Sequence, residues 1–76
     1  MSSIGKNLLS ALKCKYLSEI QTSQATLQIY INNPVGIGQH PQHIEEMDKL
    51  IDNIASNKDK MNVILNELGE KDNNLG

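Results

Sequence analysis

Ile44, Met47, Ile51, Ile54, Lys58, Met61, Leu65 and Leu68 recur at alternating steps of three and four, and seven of these eight positions are apolar. Such a heptad stripe predicts a helix over 41–68 with one face held against another helix along its length. Leu50 and Ile64, with Ala55 and Val63, lie beside the stripe and widen it. A hairpin covers one line per helix, so a face this broad calls for a second neighbour.

A second apolar line, Leu9, Leu12, Tyr16, Ile20, Gln24, Leu27 and Ile31, is flanked by Leu8, Leu17 and Tyr30. It advances about 3.7 residues per step, the period of an ordinary straight helix, and predicts a helix over 4–33. Residues 1–3 would cap it, with Ser2 or Ser3 as the N-cap. The polar run Gln21-Thr22-Ser23-Gln24 weakens its middle, and Gln24 on the stripe is placed to hydrogen-bond across an interface and favour one register.

Pro34 lacks a backbone donor and disfavours the α region at Asn33, so the first helix must stop there. The linker 34–40 reverses the chain: Gly36 and Gly38 permit positive φ, and Val35 and Ile37 tuck inward. Pro41 suits a first helical turn, with Gln39 or His40 near the cap. Glu45, Glu46 and Asp48 would meet the positive end of the helix dipole. Gly69 reads as the residue that ends the second helix, leaving 69–76 as a flexible tail.

About 28 residues on each side, at 1.5 Å per residue, make two rods of roughly 42 Å. Equal rods joined by a short reversal predict an all-α fold, an antiparallel two-helix hairpin. Its broad apolar faces predict assembly into a four-helix bundle or a similar homo-oligomer. The expected interface comprises Leu9, Leu12, Tyr16, Ile20, Leu27 and Ile31 on the first helix. On the second it comprises Ile44, Met47, Leu50, Ile51, Ile54, Met61, Ile64, Leu65 and Leu68. Lys58, inside the stripe, is expected to snorkel or to pair with an acid such as Glu19.

Composition supports association. The chain has 76 residues, two tyrosines and no Phe or Trp. A domain this small gains only about 3–5 kcal/mol from one core, and oligomerisation is a usual remedy. The single cysteine, Cys14, leaves no internal disulfide and no Cys-based zinc site, fits a reducing compartment, and lies in an apolar-periodic stretch where a buried or half-buried thiol is expected. No apolar run approaches the roughly 20 residues needed to span a bilayer, and the N-terminus lacks signal-peptide character. A soluble intracellular protein without a membrane partner is the expectation.

Net charge is −2 and every basic residue is a lysine. The absence of arginine counts against nucleic-acid recognition. Residues 1–40 carry Lys6, Lys13 and Lys15 against Glu19, whereas 41–76 carry eight acids against four lysines. The halves attract, as a folded-back chain requires, and would bring Lys6, Lys13 and Lys15 alongside Glu67, Glu70 and Asp72. Glu45 to Lys49 and Glu67 to Lys71 are i to i+4 pairs in the favourable orientation.

Candidate chemistry is sparse. His40, His43 and Glu46 could offer imidazole and carboxylate ligands to zinc, but His40 falls at the cap and the two-histidine protease spacing is absent. They read as a capping residue and an exposed first-turn residue, with no metal and no cofactor. Gly36-Ile37-Gly38 lacks the strand, third glycine and lysine of a phosphate loop. Ser10, Ser18, Ser23 and Ser56 have no neighbouring base, so no catalytic constellation is visible and no enzyme is expected.

The stretch Tyr30-Ile31-Asn32-Asn33-Pro34-Val35-Gly36-Ile37-Gly38-Gln39-His40-Pro41, continuing from Ile44 to Leu50, resembles a family of small proteins encoded by tailed phages of marine bacteria and cyanobacteria. These typically read Asn-Pro-Val-Gly-Ile-Gly-Glu-His-Pro between two helices, and the likeness covers about residues 11–68. Gln39 departs from the family's Glu. The resemblance implies a phage source and a hairpin shape, without a mechanism. It places the protein in the virion or in the cytoplasm of the infected host cell. The expected role is a non-enzymatic structural or interaction module that self-associates and contacts a phage or host protein. The alternative is a small regulator that binds a host protein through the turn formed by Pro34, Val35, Gly36, Ile37, Gly38, His40 and Pro41, with recognition reaching His43.

Overall fold

A computed structural model describes residues 2–33 and 41–70, with backbone alone for Pro41. Two helices, α1 (Ser3–Asn32) and α2 (Pro41–Leu68), pack along each other in a body of 53 × 22 × 16 Å. Lys13 meets Glu70 near one end, Asn53 meets Ser23 in the middle and Tyr30 meets His43 near the other, so the helices run antiparallel. The turn 34–40, with Pro34, Val35, Gly36, Ile37, Gly38 and His40, and the tail from 71 onward lie outside the described residues.

Local chemistry sets the ends. The Ser2 hydroxyl accepts from the Gly5 amide at 3.1 Å, satisfying one of the otherwise unpaired donors of the first turn. At the other end Asn33, just before Pro34, leaves helical space at φ −129°, ψ 69°. Through the polar middle of α1 the Thr26 hydroxyl donates to the Thr22 carbonyl at 2.9 Å, so a side chain that competes with the helix is tied back onto it. α2 closes on Gly69 at φ 74°, with the Gly69 amide donating to the Asn66 carbonyl at 3.1 Å and the Glu70 amide to the Leu65 carbonyl at 2.7 Å. That pair of bonds is the Schellman arrangement, which needs a residue at ease in the left-handed region. Because α2 starts at Pro41, its first turn holds no acid. Glu45, Glu46 and Asp48 lie beyond the turn where the helix dipole acts most strongly.

The seam between the helices is rotated by one residue from the expected lines. On α1 it follows Leu9, Lys13, Tyr16, Ile20, Ser23, Leu27 and Tyr30; on α2 it follows His43, Met47, Leu50, Ile54, Asn57, Met61, Ile64 and Leu68. Every one of these is buried or half-buried. Both lines step by alternating threes and fours, so α1 is as heptad-like as α2, contrary to its expected straight-helix period. Ser23 replaces Gln24, which is exposed, and Lys13 and Tyr30 replace Leu12 and Ile31. In α2 the line of Leu50 and Ile64 turns inward while Ile44 and Ile51 move to its flank.

Polar pairing explains the rotation. Asn57 is buried, and its amide donates to the Asn53 carbonyl at 2.7 Å and to the Asn53 side-chain oxygen at 3.0 Å. A seam through Lys58 would have to bury an ammonium, which costs far more than a satisfied carboxamide. Lys58 is instead half-buried on the flank and takes part in neither ion pair of the described residues, Lys13–Glu70 at 3.2 Å and Lys49–Glu46 at 3.3 Å. The acid it was expected to meet, Glu19, accepts from Asn53 at 3.4 Å. Lys49 pairs with Glu46 in place of Glu45, and the Glu67–Lys71 pair and Asp72 fall outside the described residues.

Candidate functional site

The hydrophobic centre is thin. Among the described residues the buried apolar side chains are Ile20, Met61, Ile64 and Leu65, and none is less than 2% exposed. Of the expected interface residues, Leu9, Tyr16, Leu27, Met47, Leu50, Ile54 and Leu68 are half-buried in the seam. Leu12, Ile31, Ile44 and Ile51 remain 38%, 49%, 61% and 53% exposed. The hairpin alone does not cover them.

The two flanks of the seam differ. One flank is marked by Asn53, which reaches Ser23 and Glu19, and by Lys60, whose ammonium lies 5.5 Å from the centre of the Tyr16 ring. Seven-residue steps place Glu46 and Glu67 with them on α2, and Leu12 and Thr26 with Glu19 on α1. Next to the seam this flank is largely polar, with a cation–π pair between Lys60 and Tyr16, while the exposed Leu8, Ile29 and Val63 lie one turn from Leu12, Thr26 and Lys60.

The opposite flank carries Ser10, Leu17, Gln24 and Ile31 on α1, with Ile44, Ile51, Lys58 and Leu65 on α2. Four of its apolar side chains, Leu17, Ile31, Ile44 and Ile51, are exposed, and they share one side of the molecule. A shallow groove of about 580 Å³ opens along it, lined by Gln21, Gln24, Ala25, Leu27, Gln28 and Ile54. The groove holds carboxamides and aliphatic carbons but no acid, base or nucleophile. Its chemistry is that of packing and neutral hydrogen bonding.

The residues singled out for reactivity are placed differently. Cys14, expected to be at least half-buried, is exposed, because the rotated seam gives its neighbour Lys13 the inward position. His43, expected on an exposed turn, is half-buried with its ring 5.4 Å from that of Tyr30 at 64°, an edge-to-face contact. His40 lies outside the described residues. Among the described residues no three His, Cys, Asp or Glu side chains gather as metal ligands, and no helix is long and apolar enough to cross a membrane.

The Asn53–Asn57–Ser23 cluster was missed by reading apolar periodicity alone. The signal that could have found it is the pair of asparagines four apart beside the lysine in the stripe, since one of two adjacent lines had to carry a polar residue. Set against protein-family models, curated proteins and solved structures, the chain matches none of them.

Proposed function

We propose that the protein is a non-enzymatic helical hairpin that works by association, as a phage structural or protein-interaction module built from more than one copy. The carrying observation is the apolar surface the hairpin leaves uncovered: Leu17, Ile31, Ile44 and Ile51 are exposed on one flank of the seam, and Leu8, Leu12, Ile29 and Val63 are exposed among charges and amides on the other. Scattered exposed apolar residues are ordinary, but a strip of them beside the seam on both helices marks a surface suited to contact. The thin core supports the same reading, since covering the strip supplies the burial that two helices lack. The phage assignment rests on the resemblance of residues 30–50 to the turn of small tailed-phage proteins.

The test is the double variant Ile44→Glu/Ile51→Glu, examined by light scattering and circular dichroism. Two carboxylates in the strip should cut the particle mass to that of one chain while helicity at high protein concentration stays near the parent value. An unchanged mass would remove this flank from the account. A parent chain that is already a stable monomer would remove self-association and turn attention to the inter-helix turn as the binding element.

A further inference from the structure

α2 carries three adjacent lines of inward-facing character. His43, Leu50, Asn57 and Ile64 lie on one side of Met47, Ile54, Met61 and Leu68, and Ile44, Ile51, Lys58 and Leu65 lie on the other. At 3.6 residues per turn the outer lines stand about 100° apart, so turning α2 about its own axis by about 50° exchanges one seam for the other. Near the open end of the hairpin both outer lines already face α1, with Ile64 and Leu65 only 6% and 5% exposed. Towards the turn they part: His43 and Leu50 are half-buried, while Ile44 and Ile51 are exposed.

We infer that α2 has two packing positions on α1, and that the Lys58 ammonium is the stop that holds it in the position leaving Ile44 and Ile51 at the surface. This rests on the self-association proposed above, because it makes Lys58 the residue that positions the contact strip. In the other position Leu50 and Ile64 turn out towards the charged flank, so the rotation moves apolar surface from one flank to the other.

The second seam, Ile44, Met47, Ile51, Ile54, Met61, Leu65 and Leu68, is interrupted by Lys58 alone, whereas the observed one carries His43 and Asn57. Lys58 opposes the turn because it would carry an ammonium against α1, where the facing flank positions Ser10, Leu17, Gln24 and Ile31 supply no acid. The Asn53–Ser23 hydrogen bond opposes it too, since the same rotation swings Asn53 away from α1. The shared line holds Met47 and Met61, whose unbranched thioethers adapt to either packing. There is also room for the turn. Asn53 is level with Ser23, so in antiparallel helices Ile51 is level with Ala25, which lines the groove together with Gln24, Gln28 and, from α2, Ile54. The rotation swings Ile51, 53% exposed in the observed position, into that groove.

The experiment is nuclear magnetic resonance on the full chain, diluted until sedimentation shows single chains. In the parent the Tyr30 and His43 rings should show a nuclear Overhauser contact, and a soluble paramagnetic agent should relax the Ile51 methyls faster than those of Leu50. Lys58→Met should abolish the ring contact and reverse the order of relaxation. Lys58→Gln, uncharged but still polar, should shift both readouts in the same direction, and Lys58→Arg, which keeps the charge, should retain the parent pattern. A folded Lys58→Met or Lys58→Gln chain with the parent order of relaxation overturns the inference, with or without the ring contact, as does a Lys58→Arg chain that reverses it. Every readout lies within one hairpin, so a parent chain that never associates removes self-association while the rotation stands or falls on its own.

Discussion

Asn53 of α2 donates its side-chain amide to the hydroxyl of Ser23 on α1, joining the two helices across the seam at mid-height. The same amide group reaches Glu19, and the Asn53 carbonyl oxygens accept from Asn57 one turn later. A polar cluster so placed favours one level of the helices facing the other, because any slip parts the half-buried Asn53 amide from Ser23 and Glu19.

Removing the hub should be costly. Asn53→Ala removes one of the two acceptors of the buried Asn57 amide, leaving the backbone carbonyl, and strips the donor from Ser23, so a loss of about 1–3 kcal/mol in urea unfolding is expected. A change within about 0.3 kcal/mol would mean that the cluster does not hold the seam.

The rotation of the seam makes a sharper contrast on α1. Ser23→Leu forces a large side chain into a tight, hydrogen-bonded position and should destabilise by about 1–3 kcal/mol. Gln24→Leu, one residue on, is exposed in the hairpin and should change hairpin stability by less than about 0.5 kcal/mol. The reverse order would restore the seam expected from periodicity. Thermal unfolding at low protein concentration separates the two.

At the end of α2, Gly69→Ala meets no steric neighbour, since nothing lies within 4 Å of the added carbon, yet the backbone is held at φ +74°. The expected cost is about 1–2 kcal/mol from conformation alone. Hydrogen exchange should report it as faster opening of the last turn, with the mid-helix amides falling only by the global loss. An unaltered last turn would show that the Schellman bonds do not hold that end.

The Lys13–Glu70 pair should matter little. The Lys13 side chain is half-buried and that of Glu70 exposed, at 33% and 55%, and solvent still reaches and screens such a bridge. Lys13→Gln is expected to cost no more than about 1 kcal/mol, shrinking further as salt is added. A larger, salt-independent loss would mean that the Lys13 stem contributes through packing instead.

The two helices and their folding back were legible in the chain, because Pro34 with the glycines after it and the matched apolar runs leave few other arrangements. What was not legible is the one-residue rotation of the seam. The lines Ile44-Ile51-Lys58-Leu65 and His43-Leu50-Asn57-Ile64 lie side by side on the same helix, and by hydropathy the first looks the better core. The choice falls to partners on the other helix: Ser23 is short enough to receive Asn53, and the edge of Tyr30 meets His43. Cys14, expected to be buried or half-buried because its stretch is apolar-periodic, lies one residue past Lys13 of the seam and is exposed. Gln24 shows the other side of this effect: expected as an interface hydrogen-bonder within the hairpin, it lines the open groove on the apolar flank. The flank itself could be anticipated only as excess width, since which residues are left uncovered depends on where the seam runs.

Sedimentation equilibrium of the intact chain over a range of micromolar concentrations, with circular dichroism on the same samples, tests self-association most directly. The account predicts a fully helical species whose mass is a whole multiple of 8.4 kDa, two copies in the simplest case. A fully helical particle of 8.4 kDa at every concentration would contradict it.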